Sequence, residues 1–190
     1  AEEIYRILCK PRVGGEAVES AGTADLNEKI LSHALDLAGE VQAEAILLDV
    51  DALNDLVCLE SLETETTILL VTGRQEVPTD ALTFPHRVIY LPIAGLKRSD
   101  QVDLALLLSV GRGFLSREGR IVSLFGNPNS GILNSFMVID LSRELPTFLP
   151  TYPDDLLGGV GPEVLERVLQ IATTIAREGR EGKAIGTAFV

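Results

Sequence analysis

The sequence lacks tryptophan, and aromatic residues make up only 5% of its 190 residues. Aliphatic side chains must therefore fill most of the core. It also has only two cysteines, Cys9 and Cys58, which show no metal-ligand spacing and have no histidine near them in the sequence. We interpret both as reduced thiols in apolar surroundings rather than as a disulfide or a nucleophile.

Basic residues are scarce as well. The chain has 16 Lys and Arg against 28 Asp and Glu, a net charge of -12 and a pI of about 4.6. Nucleic acids and anionic membranes both require a basic face, so neither is an expected partner. No apolar run approaches the roughly 18 residues of a membrane span, and the N-terminus lacks the basic start and apolar middle of a signal peptide. We therefore expect a cytoplasmic protein.

The sequence does have a regular alternation of helical and strand-like segments. With 46% hydrophobic residues, it can form one well-filled core and a short annex. Asp25 and Glu28 form a capping box before one helix, and Ser99 with Asp100 caps a second, largely buried one. Five apolar runs predict strands over residues 45–48, 67–71, 87–91, 121–125 and 136–140. This alternation favours a parallel sheet wrapped by helices.

A loop dense in glycine, asparagine and proline, residues 126–131, lies between the last two predicted strands. It is too short to hold a crossover helix, so the final strand should run antiparallel to its predecessor. Loops at the carboxyl ends of strands in open α/β sheets commonly bind ligands, because N–H groups and helix N-termini point into the crevice there. The predicted ligand-binding residues of this region are Asn127, Asn129, Ser130, Gly131 and Asn134.

Two carboxylates follow the first predicted strand. Asp49 and Asp51 could hold a cation or an amine at the end of a buried strand. Asp51 could equally cap a short helix over residues 52–59, and the cap is the simpler interpretation. No metal or cofactor is expected in this chain.

Polar residues also follow the next two predicted strands. Thr72, Gly73 and Arg74 could grip an anion, although a plain turn accounts for them as well. After the third strand, Lys97 and Arg98 could either contribute to the same site or lie on the surface, and we favour the surface.

A longer pattern resembles the C-terminal domain of pyruvate kinase. There, a helix with a glycine-phenylalanine end leads into a strand, a glycine-proline-serine-glycine loop and a final strand. The matching positions here are Asp103, Leu104, residues 110–114 and 119–122, Gly126, Pro128, Ser130, Gly131, Asn134 and Val138. The resemblance covers about residues 28–141. It implies a three-layer α/β/α fold with a five-stranded, mostly parallel sheet of order 3-2-1-4-5 and an antiparallel last strand.

The implied order brings the loops after Leu48 and Phe125 together at the switch point of the sheet. We call residues 49–54, 72–74 and 126–134 the crevice. In pyruvate kinase this region is the effector site for a sugar bisphosphate. Here the first loop has no arginine and adds two carboxylates, which would repel a phosphate. We expect the bisphosphate site to be lost, leaving a crevice suited to a small polar metabolite or to no ligand. Kinase activity is excluded on length, because the catalytic barrel is absent.

The end of the chain resembles the opening of a diadenylate cyclase domain, which condenses two ATP molecules into cyclic di-AMP. A helix that begins near Pro162 leads to the run Glu-Gly-Arg-Glu-Gly-Lys at residues 178–183 and then to a strand containing Gly-Thr. This resemblance covers about residues 163–190 and appends a helix and a strand to the sheet domain. The family's Asp-Gly-Ala and Arg-His-Arg motifs, which hold ATP and a divalent metal, do not occur in this sequence. We therefore expect a fragment of a longer protein, without cyclase activity of its own.

The predicted organisation is a pyruvate-kinase-C-terminal-like domain over residues 1–143, a linker over 144–162 and a truncated cyclase-like start over 163–190. The leading hypothesis is a non-catalytic regulatory or ligand-sensing domain of a diadenylate cyclase. A structural or oligomerisation module is the alternative, because joining two nucleotides needs two active sites face to face, and a homo-oligomer is expected. A free-standing α/β enzyme using Asp49 and Asp51 ranks last, since no histidine, cysteine or serine is placed to act as a base or nucleophile.

Overall fold

A computed structural model describes residues 16–91, 98–127 and 130–148, together with residues 164, 167, 168, 171, 172, 174 and 175. In chain order its elements are α1 (Glu16–Glu40), β1 (Ala45–Asp49), a 3₁₀ helix (Val50–Ala52), α2 (Val57–Glu60), β2 (Thr67–Thr72), β3 (His86–Tyr90), α3 (Arg98–Gly111), β4 (Arg120–Gly126), β5 (Leu133–Asp140) and α4 (Leu141–Phe148).

The five strands form one sheet in the order β3-β2-β1-β4-β5. β1 pairs in parallel with both β2 and β4, and β2 pairs in parallel with β3. β5 is antiparallel to β4, as the short loop between them requires. The predicted strand order and the antiparallel last strand are both confirmed.

Both faces of the sheet are covered, which is why its central strands are continuous apolar runs. Every residue of β1 is buried. Ile46 and Leu48 pack with Leu31 and Ala34 of α1 on one face. Leu47 lies on the other face, in a second cluster built around α3. The alternation of side chains along each strand thus divides the core into two layers.

Helix bounds depart from the sequence prediction in two places. Asp25 is not a cap, because it lies inside α1, where its carboxylate pairs with Lys29 at 2.6 Å on the exposed surface. Ser99 and Asp100 lie in the first turn of α3, which already begins at Arg98. α3 is largely buried, as predicted.

The end of the sheet domain also differs from the prediction. α4 follows β5 directly and reaches Phe148, so the first residues of the predicted linker over 144–162 are helical. Residues 164, 167, 168, 171, 172, 174 and 175 are helical, within the helix predicted for 161–179. The predicted terminal strand over 184–190 lies outside the described residues. Among the residues that are described, no helix is both long and apolar enough to cross a membrane.

Candidate functional site

The loops after β1 and β4 meet at the carboxyl edge of the sheet. Leu48 of β1 pairs with Leu124 of β4, so the two strands end side by side. A Cβ added at Gly126 would lie 2.6 Å from the Cβ of Ala52, and one added at Gly131 would collide with the amide of Asn54. Glycine is needed at both positions for this close approach, and Gly131 also has a left-handed φ of 73°. The predicted meeting of the two loops is confirmed.

Asp49 is the most deeply buried acid at this edge, with 3% of its surface exposed. Its Oδ1 accepts a hydrogen bond from the Asp51 N–H at 3.0 Å and caps the 3₁₀ helix. Among the described residues, its Oδ2 has no hydrogen-bond partner. Burial raises the pKa of Asp49 from 3.8 to about 6. The predicted helix over residues 52–59 with Asp51 as its cap is wrong, because Asp49 caps the 3₁₀ helix Val50–Ala52 and α2 begins only at Val57.

Replacing Asp49 by asparagine should stabilise the chain at neutral pH and lose that effect in acid. Because the folded-state pKa lies above the unfolded one, the native state binds the proton more tightly, and stability falls as pH rises from about 4 to about 6. A shift of about 2 units corresponds to roughly 3 kcal/mol, of which the unpartnered amide of asparagine should offset about 1, leaving about 2 kcal/mol near pH 7.5. Urea unfolding of both proteins across this pH range measures the difference.

The matched control is Asp36→Asn, which removes one carboxylate from the exposed surface of α1. Because Asp36 is exposed, this variant measures the effect of removing one surface charge. If Asp49→Asn changed the free energy of unfolding equally at acidic and neutral pH, burial would not raise the pKa of Asp49.

Asp51 ties the β1 loop to the end of β2. Its Oδ1 accepts a hydrogen bond from Thr72 Oγ1 at 2.7 Å and lies 3.0 Å from Arg74 Nε, and its Oδ2 accepts one from the Gly73 N–H at 2.6 Å. Arg74 also donates to the carbonyl of Leu53 at 3.3 Å. The polar groups of four predicted site residues thus pair with one another, and we call Asp51, Thr72, Gly73 and Arg74 the brace. Internal pairing alone explains this geometry. It requires no bound cation, amine or anion.

The loop after β4 is organised partly from within. The Ser130 hydroxyl accepts a hydrogen bond from the Ile132 N–H and donates one to the Ile132 carbonyl, both at 3.2 Å. Asn127 and Asn134 are exposed. Asn129, also a predicted site residue, lies outside the described residues.

Asn27 of α1 hydrogen-bonds to the end of this loop, and the sequence analysis did not identify it as a site residue. Its Nδ2 donates to the Gly131 carbonyl at 2.7 Å, and its Oδ1 accepts from the Leu133 N–H at 2.9 Å. The side chain is 4% exposed. A usable signal was present, because Asn27 lies four residues before buried Leu31 and therefore on the same face of α1.

Arg98 is the second residue that sequence reasoning misplaced. Its guanidinium donates to Ser135 Oγ at 2.8 Å, to Asn127 Oδ1 at 2.9 Å and to Asn134 Oδ1 at 3.3 Å. All three acceptors are neutral, and none of the described carboxylates pairs with Arg98. Of the two alternatives for Arg98, the structure favours contact with the crevice over the surface, while Lys97 lies outside the described residues.

The charges of the crevice are separated by the sheet. Side chains two positions apart on a strand point to the same face of the sheet. Thr72 therefore shares the face of Ile68 and Leu70, which pack against α1, and the brace of Asp51 lies on that side. Ser135 pairs with Phe125, which faces α3, so Arg98 and the Ser135 hydroxyl that it contacts lie on the opposite side.

Within the described ranges, no group of three or more His, Cys, Asp or Glu side chains could hold a metal ion.

A doubly wound α/β domain with a polar crevice at its switch point is an architecture typical of ligand binding. A family model described as "Probable sensor domain DacZ_P" matches residues 26–148. The chain belongs to this family of sensor domains.

A curated relative and a solved structure are also similar to the chain. A diadenylate cyclase of Methanocaldococcus jannaschii is 21% identical over 182 residues, which cover 85% of this chain and 59% of that protein. A pyruvate kinase of Cryptosporidium parvum is 16% identical, with a TM-score of 0.51, over 61% of this chain and 23% of that one. The first agrees with the predicted sensor or regulatory domain of a diadenylate cyclase, and the second shows the fold alone.

Proposed function

We propose that the chain is the sensor domain of a diadenylate cyclase and that its crevice binds a small polar metabolite with an anionic group. The observation that carries this proposal is the Arg98 guanidinium, which three neutral oxygens hold at the rim of the crevice. Arginine is well suited to carboxylate and phosphate, because its donors lie in one plane.

Contacts in the folded chain reduce the repulsion that the two carboxylates of the β1 loop would exert on an anion. Asp51 is paired with Arg74 and turned into the brace. Burial raises the pKa of Asp49 to about 6, which lowers the cost of its protonation when an anion binds. Arg98, whose described partners are all neutral, then supplies a positive charge on the α3 side of the crevice. The absence of arginine from the β1 loop is thus offset by an arginine from α3.

Regulation requires that the ligand favours one arrangement of the chain over another. The chain spans 59% of the curated cyclase that it matches, so cyclic di-AMP synthesis, with its ATP and divalent metal, is proposed for the longer protein. The predicted connector is the helix over residues 161–179. Ligand binding would reach the cyclase by changing the position of that helix relative to the sheet.

A panel of carboxylated and phosphorylated metabolites should contain at least one that raises the melting temperature of the chain. Arg98→Ala should weaken its binding about 10- to 100-fold, since a charged hydrogen bond contributes about 1.5 to 3 kcal/mol. Calorimetric titration of both proteins measures this ratio. Asn127→Ala should produce a smaller loss, because it removes a neutral partner of the guanidinium.

The control is Arg143→Ala, which removes the same charge from an exposed position near the start of β4, at the end of the sheet away from the crevice. Binding that weakens equally in both arginine variants would indicate general electrostatic attraction instead of the crevice. A panel in which no metabolite changes the melting temperature would favour the oligomerisation module.

Enzymatic use of the described histidines and cysteine finds little support. His33 is exposed on α1, and His86 Nδ1 lies 3.0 Å from the Phe84 carbonyl. Burial raises the pKa of the Cys58 thiol to about 11, so it stays protonated at neutral pH. A sensor accounts for the site better than a free-standing enzyme does.

A further inference from the structure

The side chain of Asp49 lies on the α3 face of the sheet. Leu47, two positions earlier on β1, packs in the cluster around α3, and so does Val71, which pairs with Asp49 on β2. Asp49 is 3% exposed, and its Oδ2 has no hydrogen-bond partner among the described residues. A proton can reach an oxygen buried this deeply without repacking of its surroundings, whereas a larger ligand group cannot. Asp49 is therefore shielded from contact with a ligand but remains able to bind a proton.

Asp49 and Arg98 are connected by one row of residues across the carboxyl edge of the sheet. β1 and β4 are paired up to Leu48, so the next residue, Asp49, lies beside Phe125 of β4. Phe125 pairs with Ser135 of β5, whose hydroxyl accepts a hydrogen bond from Arg98. Neighbouring strands are about 4.8 Å apart, so an anion on Arg98 would lie roughly 10 Å from Asp49. Phe125 between them is 1% exposed and keeps water out of this path, so screening is weak.

We propose that binding of an anion to Arg98 is coupled to the uptake of one proton from solvent by Asp49, so that the crevice responds to the anion and to acidity together. This inference rests on the proposed anion site. A dianion outweighs the single positive charge of Arg98 and leaves a net negative charge near Asp49. That charge favours the protonated form of Asp49, and the proton favours binding of the anion by the same factor.

The charges around Asp49 set the pH range of this coupling. Burial raises the pKa of Asp49 to about 6, the negative charge of Asp51 adds to this rise, and Arg74 opposes it. The first turn of α3 contributes Arg98 and Asp100. β4 ends at this level in uncharged residues. Affinity for the anion should therefore be highest in acid and fall as the pH rises through about 6 to 7.

The two histidines, which also titrate in this range, lie away from the α3 side of the crevice. His86 begins β3, at the amino end of the parallel strands. His33 is exposed on α1, which covers the opposite face of the sheet. Among the described side chains, Asp49 is thus the group that connects the Arg98 site to pH near 6.

Sulfate is the probe for this coupling, because it stays a dianion at every pH used. Amide NMR titrations of the chain at constant ionic strength should show sulfate-dependent shifts at Arg98, Asn127 and Asn134. Between pH 5.5 and pH 8 the dissociation constant should rise about 3- to 10-fold, as expected for two charges roughly 10 Å apart at the effective dielectric constant of a partly buried site. The carboxyl carbon resonance of Asp49 reports the proton directly. Its titration midpoint should move upward in saturating sulfate, and it should not move in Arg98→Ala.

Asp49→Asn should bind sulfate with an affinity that does not change with pH, because its side chain cannot titrate. The matched control, Asp36→Asn, removes an exposed carboxylate from α1 and should keep the pH dependence of the parent chain. Proton uptake would be overturned, with the anion site left in place, if sulfate bound equally well at both pH values or if Asp49→Asn kept the pH dependence. An unmoved titration midpoint of Asp49 in the sulfate-bound parent chain would have the same meaning. Crevice amides that do not respond to sulfate at any pH would overturn both the anion site and the proton uptake.

Discussion

Replacing Asn27 by alanine is expected to lower the free energy of unfolding by about 4 kcal/mol, the largest effect of any substitution considered. The variant leaves the Gly131 carbonyl and the Leu133 N–H without their partner inside the fold. Each unsatisfied buried group costs about 2 kcal/mol. Because the two groups flank the start of β5, amide exchange should speed up in the crevice loop before the rest of the sheet. Urea unfolding with circular dichroism measures the main effect.

Asn27→Asp separates the hydrogen bonds from simple packing. At neutral pH the new carboxylate keeps the bond from Leu133 but faces the Gly131 carbonyl without a proton to donate. Protonation restores that donor, so this variant should regain much of its stability below about pH 5, while Asn27→Ala should not. Ser32→Ala, at an exposed position on α1, serves as the control. If Asn27→Ala unfolds within about 0.5 kcal/mol of the parent chain, Asn27 does not hold the loop.

Asp51→Ala should be the second most damaging substitution, with a loss of about 3 kcal/mol. It removes the acceptor for the buried Thr72 hydroxyl and for the Gly73 N–H, which both lie at the end of β2. Hydrogen bonds to a charged group contribute about 1.5 to 3 kcal/mol each, and partial exposure of Asp51 reduces their sum. The loss is measured by urea unfolding at neutral pH.

Arg74→Ala distinguishes the hydrogen bonds from the ion pair. Arg74 is 45% exposed, so its pair with Asp51 should contribute less than about 1 kcal/mol. A double-mutant cycle with Asp51→Ala should therefore give a small coupling energy. If Arg74→Ala destabilised the chain as much as Asp51→Ala, the ion pair and not the hydrogen bonds from Thr72 and Gly73 would connect the β1 loop to the end of β2.

The architecture was largely predictable because its signals are local and mutually consistent. Buried parallel strands appear as continuous apolar runs, and the short loop before β5 requires an antiparallel return. The strand order came from the resemblance to pyruvate kinase, since periodicity alone does not order strands. Boundaries were less predictable. Asp25 looks like a cap, but α1 already begins at Glu16 and continues through Asp25, which pairs with Lys29 one turn further on.

The site was less predictable because its decisive contacts join residues far apart in sequence. Asn27 and Gly131 are 104 positions apart, and Arg98 and Ser135 are 37 apart. The roles of Asp49 and Asp51 depend on which carboxylate meets the end of β2, which no spacing rule encodes. Neighbouring charges suggested that the crevice repels anions. In the folded chain Asp51 pairs with Arg74, and Arg98 reaches the rim from another element, which is the basis of our proposal that an anion binds there.

The most direct test of the sensor proposal is an amide NMR titration of the chain with pooled carboxylated and phosphorylated metabolites. At least one pool should shift the amides of Asn127, Asn134 and Arg98, and these shifts should vanish in Arg98→Ala but persist in Arg143→Ala. The proposal would be contradicted if every pool left these amides unchanged, or if the shifts lay only at the opposite edge of the sheet.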